Sequence, residues 1–98
     1  MKPKVSVIIP VYNDPEGLQD TLESLVDQDF DRAYEILPVD NNSTDNTQEV
    51  IEEFEEKYPD IVKGLEENNI QSSYAARNKG IKNAEGEISG GTETKNSY

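Results

Sequence analysis

Three side chains in the sequence have the chemistry to recognise a flat, charged ligand. Tyr12 offers an aromatic face on which a planar ring can stack. Asp40 is an anionic acceptor, which would select a ligand edge that carries an N–H group. Arg77 is a rigid fork of donors suited to planar or phosphate oxygens. Together they would supply stacking, accepting and donating groups to one site.

Each of these residues also has an ordinary structural explanation. Tyr12 could cap the edge of a sheet, Asp40 could bond to its own backbone in an Asx turn, and Arg77 could be a solvated arginine paired with an acid. The joint arrangement favours a site, because three separate segments would bring these groups to one crevice at the end of a parallel sheet.

The first positioning element is the β-branched run from Val5 to Val11, which predicts a parallel strand covered on both faces. Pro10 lacks an N–H donor, so regular pairing should fail near it and the chain should turn out of the sheet at residues 11–13. Ligands of open parallel sheets collect at that end of the strands, which is where Tyr12 lies.

Hydrophobic spacing and capping signals predict the remaining elements. They are a helix at about Pro15–Gln28, a buried strand at Glu35–Val39, a helix from a capping box of Asp45 and Gln48 to Pro59, a weak strand at Ile61–Leu65, and a helix from Ser72 or Ser73 that Gly86 ends. Pro38 requires a gap in the ladder or a short strand. The alternation of strands and helices predicts an α/β fold with a parallel sheet.

Size and charge limit the classes of function. A chain of 98 residues with 33% hydrophobic residues makes one small domain with a lean core. Its net charge of −12 argues against nucleic acid or an anionic membrane as a general partner. Solvated helix faces explain this acidity, and adaptation to high salt is an alternative.

Residue types that are missing exclude further kinds of chemistry. The sequence has neither cysteine nor histidine, so disulfides and thiolate metal sites are excluded, and acid–base catalysis would need a carboxylate. No apolar run resembles a signal segment or reaches the length of a membrane span. We therefore expect a cytoplasmic protein.

Four stretches, in order along the chain, resemble the family 2 glycosyltransferases, which transfer a sugar from a nucleotide diphosphate donor. They are Val5-Ser-Val-Ile-Ile-Pro-Val-Tyr-Asn13, Val39-Asp-Asn-Asn-Ser-Thr-Asp45, Ala76-Arg-Asn-Lys-Gly-Ile81 and Ala84-Glu-Gly-Glu87. The resemblance implies the nucleotide-binding half of the GT-A fold, a three-layer, Rossmann-like arrangement with strand order 3-2-1 and helices on both faces.

The resemblance also implies roles for four residues. Pro10 and Tyr12 would border the base of a UDP-type nucleotide sugar, Asp40 would accept from a ring N–H of the base, and Arg77 would reach the base edge or the phosphates. Asp45 is assigned to capping and Asn41-Asn42-Ser43-Thr44 to the start of a helix, although the latter also contains glycosylation acceptor patterns.

The sequence departs from the family's pattern after Ile88. Family members continue there with an apolar strand and an Asp-x-Asp pair that holds Mn²⁺ or Mg²⁺ on the diphosphate. Here Ser89-Gly90-Gly91-Thr92 follows, with no acidic pair. We therefore expect a truncated nucleotide-binding domain over residues 1–88 and a disordered tail over residues 89–98. Neither catalytic residues nor metal ligands are assigned.

Two hypotheses follow from that departure. Without a fourth strand, the strand at residues 5–11 would become an open edge, through which the chain could pair with a second copy or another polypeptide. The chain would also be catalytically incomplete by itself. The alternatives are a non-catalytic nucleotide-binding or regulatory module and a decayed gene fragment.

Overall fold

The computed structural model describes the backbone of residues 5–27 and 33–91, with side chains as far as Glu87. Seven elements follow in chain order: β1 (Val5–Val11), α1 (Pro15–Val26), β2 (Tyr34–Asp40), α2 (Thr47–Lys57), β3 (Leu65–Glu66), α3 (Ser73–Asn83) and β4 (Glu87–Gly91). The strands pair in parallel in the order β3-β2-β1-β4. The predicted α/β class and the 3-2-1 order of the first three strands are confirmed.

The sheet has a fourth strand where the sequence analysis predicted none. β4 pairs with β1 through Val5–Glu87, Ser6–Ile88 and Ile8–Gly91. The hypothesis of an open edge along residues 5–11 is therefore wrong, because β1 lies between two strands. The physical reason is that backbone groups make the ladder, so the segment Ser-Gly-Gly can pair without an apolar run.

The sequence placed the end of the folded domain at residue 88, which is too early for the same reason. Residues 89–91, which we expected to belong to a disordered tail, form the second half of β4. The rest of the predicted tail, residues 92–98, lies outside the described residues.

The N–H donor that Pro10 lacks would face the β4 side of β1. The carbonyl of Val11 accepts from the N–H of Asn41 at 2.9 Å, so the odd-numbered residues of β1 bond toward β2 and Pro10 faces β4. The last described pair on the β4 side is Ile8–Gly91. Pairing with β2 continues through Pro10 to Val11. The residues that would continue β4 beside Pro10 lie outside the described part of the chain, so a failure of pairing on that side stays a prediction.

Pro38 lies at a ladder gap within a strand of seven residues. Ile36 bonds toward β3, with its N–H donating to the carbonyl of Ile61 at 2.8 Å, and Pro38 two residues later faces the same side. There it falls between the isolated Ile36–Val62 bridge and β3, where Gly64 interrupts the pairing. The predicted gap is confirmed, and the alternative of a short strand is wrong.

The helices cover both faces of the sheet. On one face α1 and α2 bury a cluster that includes Leu18, Leu22, Val50, Ile51 and Phe54 against alternate residues of β1. On the other face Ala76 of α3 packs with Ile8, Leu37 and Val39. The alternation along β1 explains this division, because successive side chains of a strand point to opposite faces.

Several predicted element boundaries were wrong. The capping box is replaced by Asn46 as the N-cap of α2, while Oδ1 of Asp45 accepts from the N–H of Thr47 at 3.0 Å and from its hydroxyl at 2.6 Å. α3 ends at Asn83 rather than near Gly86. The predicted third strand, Ile61–Leu65, is reduced to Leu65–Glu66 and a bridge at Val62. The predicted end of α1, Gln28, lies outside the described residues.

No helix in residues 5–27 and 33–91 is long and apolar enough to cross a membrane. A cytoplasmic location stays a prediction.

Candidate functional site

The ends of β1 and β2 bring two of the predicted site residues to neighbouring positions. Val11 pairs with Asp40, so Tyr12 is the first residue beyond β1 and begins beside the end of β2. Tyr12 is half-buried and Pro10 is buried. Pro10, Tyr12 and Asp40 therefore all lie at the carboxyl edge of the sheet, as the strand pattern predicted.

Asp40 is a buried carboxylate held by its own turn. Its side chain is only 2% exposed, and Oδ1 accepts from the N–H of Ser43 at 3.1 Å. This is the Asx-type turn that the sequence offered as the ordinary explanation of Asp40. The turn uses one carboxylate oxygen and fixes the orientation of the other, so a structural role and a ligand-binding role are compatible here.

The loop after β1 is bonded to the loop after β2 through Asn13. The N–H of Asn13 donates to the Ser43 hydroxyl at 2.9 Å, and its Oδ1 accepts from the N–H of Thr44 at 2.8 Å. Asn13 and Asn42 have φ values of 48° and 64°, in the left-handed region that asparagine tolerates better than most residues. These bonds hold the backbone beside Tyr12 and Asp40 in a defined shape.

Asn41 extends the same arrangement to the loop after β3. Its side chain is fully buried, and Nδ2 donates to the carbonyls of Glu67 at 2.7 Å and Ile70 at 2.9 Å. The backbone carbonyl of Asn41 accepts from Nε2 of Gln71 at 3.3 Å. Asn41 thus fixes the segment that leads into α3, a role that the sequence analysis missed when it assigned the residue to helix-start chemistry. The available signal was an amide directly after a buried strand.

Arg77 lies on the part of α3 that is nearer the carboxyl edge. A Cβ added at Gly80 would lie 2.5 Å from Cγ2 of Ile8, so α3 crosses the sheet in close contact at that point. Arg77 lies three residues earlier, about 4.5 Å nearer the start of the helix. The helix begins after the loop that Asn41 holds, so Arg77 lies toward the same edge as Asp40, with an exposed side chain.

The helices on the two faces of the sheet differ in charge. α3 carries Arg77, Lys79 and Lys82 and no acidic residue, whereas α2 carries five glutamates and one lysine. In a chain of net charge −12, α3 is therefore a local basic element on which phosphate oxygens would be favoured.

Other surfaces do not coincide with the predicted site. Two clefts of about 410 and 390 Å³ lie beside β3 and along α3, and neither is lined by Pro10, Tyr12, Asp40 or Arg77. Across residues 5–27 and 33–91, no group of three or more acidic side chains is arranged to hold a metal ion.

Comparison with known proteins identifies the family of this chain. The family model of glycosyl transferase family 2 matches residues 6–90. The chain belongs to glycosyl transferase family 2. It is 46% identical over 87 residues to the glycosyltransferase AglE of Haloferax volcanii, a match that covers 88% of this chain and 28% of that protein.

Solved structures of glycosyltransferases share the fold. Residues 1–349 of S. aureus TarS in complex with UDP superpose with a TM-score of 0.79 at 31% identity, over 93% of this chain and 27% of that chain. The mannosyltransferase PcManGT of Pyrobaculum calidifontis, in complex with GDP-Man and Mn²⁺, gives a TM-score of 0.75 at 30% identity, over 86% and 25%. The chain thus spans about a quarter of the length of each of these relatives.

Proposed function

We propose that this chain binds the nucleotide part of a UDP-type sugar donor at the carboxyl edge of its sheet. In this proposal Pro10 and Tyr12 border the base, Asp40 accepts from a ring N–H of the base, and Arg77 contacts the base edge or the phosphates. The buried, turn-held carboxylate of Asp40 beside the end of β1 is the observation that carries the proposal.

The chemistry of the base explains why a carboxylate suits this position. Uracil and guanine each present a ring N–H on the edge that pairs with other bases, whereas cytosine presents a ring nitrogen acceptor there. A carboxylate accepts and cannot donate, so Asp40 would favour the first two bases and oppose the third. TarS with UDP and PcManGT with GDP-Man are in agreement with this expectation.

Sugar transfer by this chain is a separate question. The matched part makes up only about a quarter of each of these relatives, and PcManGT is in complex with Mn²⁺. The described side chains do not group into a metal site, and the sequence after Glu87 contains no Asp-x-Asp pair. We therefore derive no catalytic step through a metal, and we propose that these 98 residues recognise the donor without transferring its sugar.

Calorimetric titration with UDP, GDP and CDP tests the base-recognition step, using Asp40→Asn as the variant. Asparagine keeps the acceptor for the N–H of Ser43 and converts the other carboxylate oxygen into a donor. UDP should bind to the wild type more tightly than CDP does, and without Mn²⁺. The variant should bind UDP roughly tenfold or more weakly, because a hydrogen bond to a charged group contributes about 1.5–3 kcal/mol.

Asp45→Asn is the matched control. It removes a carboxylate five residues along the chain and keeps an acceptor for Thr47. Its UDP affinity should stay within about twofold of the wild type, since the residue lies outside the proposed base contacts. Equal losses in the two variants, or no UDP binding by the wild type, would contradict the proposal. Turnover of a UDP-sugar by the 98-residue chain would contradict its catalytic incompleteness.

A further inference from the structure

A buried charge lies at the opposite edge of the sheet from the proposed nucleotide site. Glu35, near the start of β2, is 1% exposed, although a carboxylate is strongly disfavoured away from water unless it is paired and hydrogen-bonded. The family motifs used to identify the fold do not include this residue, and nucleotide binding at the carboxyl edge does not require it. Its partners indicate another role.

Glu35 bonds to three separate segments of the chain. Its Oε2 accepts from the Ser6 hydroxyl at 2.6 Å and from the N–H of Glu85 at 2.8 Å, and its Oε1 accepts from the Lys63 ammonium at 3.3 Å. The Ser6 hydroxyl in turn accepts from the N–H of Gly86 at 2.9 Å. Two consecutive backbone donors of the turn before β4 are therefore satisfied by this pair of side chains.

The charge on Glu35 is maintained in spite of its burial. Burial by itself would raise the pKa of Glu35, but the bonds from Glu85, Ser6 and Lys63 outweigh it and leave the pKa below its ordinary value. The carboxylate is thus ionised at neutral pH and accepts hydrogen bonds more strongly than a neutral group would.

The sequence of the strand that follows this turn does little to fix its register. β4 has five residues, and its register with β1 shifts within them: Ser6–Ile88 is followed by Ile8–Gly91, two steps on β1 against three on β4. Ser89, Gly90 and Gly91 do not supply the apolar pattern that normally specifies register. An anchor at the start of β4 would remove this ambiguity.

We infer that Glu35 and Ser6 form such an anchor, which makes Glu35 a positioning residue that fixes where β4 begins beside β1. The anchor bonds to the backbone of residues 85 and 86, so it acts through the turn and independently of the side chains of β4. This role goes beyond the proposed nucleotide binding, because it concerns the fourth strand rather than the base.

Amide hydrogen exchange of the 98-residue chain without nucleotide, followed by NMR, tests this inference. Glu35→Gln should make the amide of Glu85 exchange roughly tenfold faster, and Ser6→Ala should do the same for the amide of Gly86, since each variant weakens or removes about one hydrogen bond. The amides of Asn41 and Tyr58, which bond to Val11 and Phe54 away from the anchor, should change by no more than about twofold.

Lys63→Met is the matched control for charge. It removes the half-exposed partner of Glu35 and keeps both contacts to the turn, so exchange at Glu85 and Gly86 should stay within about twofold of the wild type. Unchanged exchange at these amides in both anchor variants would overturn the inference, and so would equal acceleration at Asn41 and Tyr58. If Glu35→Gln does not fold, Ser6→Ala decides the outcome. Failure of UDP to bind would leave this inference standing.

Discussion

The two edges of the sheet hold their loops by different chemistry. At the amino edge, the charged carboxylate of Glu35 is surrounded by donors from Ser6, Glu85 and Lys63. At the carboxyl edge, the described side-chain bonds from one loop to another come from neutral groups, as when Asn41 donates to the carbonyls of Glu67 and Ile70. Carboxylates at this edge, such as those of Asp40 and Glu67, bond within their own turns. The amino edge therefore joins distant segments through a charge, and the carboxyl edge joins its loops through neutral side chains.

This difference separates a structural edge from the edge proposed to bind a nucleotide. At the amino edge, the bonds to Glu35 oppose the cost of burying its charge, and they leave the carboxylate inside the fold. At the carboxyl edge, the loops keep their shape without Arg77, and Asp40 takes part through a single described bond to a backbone N–H. A fold that joins its loops to one another through neutral groups can direct charged groups to a ligand.

Replacing Glu35 by leucine should produce the largest loss of stability. The change leaves the buried Ser6 hydroxyl without an acceptor, at a cost of about 1–3 kcal/mol, and removes the bond from the N–H of Glu85 to a charged acceptor, which contributes about 1.5 kcal/mol or more. Together these changes give a loss of about 3 kcal/mol in the free energy of unfolding. Urea unfolding measures it. Glu53→Leu, at an exposed position on α2, should change stability by less than about 0.5 kcal/mol. A similar loss in both variants would remove the contrast between the edges.

Gly80→Ala should cost about 2 kcal/mol, although alanine favours helix formation by about 1 kcal/mol relative to glycine. The added methyl would lie within 2.5 Å of Ile8, so α3 must move away from the sheet and carry Arg77 with it. Thermal unfolding and UDP titration should both show a loss. Lys82→Ala, at an exposed position on α3, is the stability control. A more stable Gly80→Ala protein would contradict the close packing.

Asn41→Ala should cost about 1.5 kcal/mol, because the carbonyls of Glu67 and Ile70 both lose the bond from the buried amide of Asn41. The loss should be local, with faster amide exchange between residues 67 and 71. Asn42→Gly is the matched control, since Asn42 is exposed and has a φ of 64°, which glycine adopts easily. A greater loss at Asn42 than at Asn41 would mean that turn strain, and not the amide bonds, shapes this edge.

The amino edge should also be sensitive to acid. Because the pKa of Glu35 is lowered in the folded chain, its ionised form stabilises the fold above the ordinary pKa of about 4.5, and this contribution disappears as the pH falls through the folded value. The free energy of unfolding of the wild type should exceed that of Glu35→Gln by about 1 kcal/mol at pH 7, since a charged acceptor forms stronger hydrogen bonds than a neutral one. Urea unfolding at pH 7, 5 and 3 should show this difference shrinking. A difference that grows in acid would contradict this sign.

Lys63→Met should have the smallest effect, about 0.5 kcal/mol or less, because the Lys63 side chain is 45% exposed and water screens its attraction to Glu35. The same urea measurement applies. A loss as large as that of Glu35→Leu would show that the ion pair, rather than the bonds to Ser6 and Glu85, holds the amino edge.

Much of the fold could be predicted because its signals are local. The β-branched run of β1, the helical spacing in α1 and the proline after α2 depend on neighbouring residues, so the alternation of strands and helices could be predicted from them. The order 3-2-1 of the first three strands was implied by the resemblance to the family. The fourth strand could not be predicted in this way. Its pairing uses backbone groups, and its anchor joins Ser6 to Gly86, 80 positions apart.

The sequence by itself determined the alternation of strands and helices, the family, and the ends of β1 and β2 at which Tyr12 and Asp40 lie. The tertiary structure decided which polar residues hold the loops, because Ser6 and Glu35 are 29 residues apart and Asn41 and Ile70 also 29. A polar side chain has the same identity whether it is solvated or buried, and its partners exist only once the chain has folded. For that reason the roles of Asn41 and Glu35 could be recognised only in the structure.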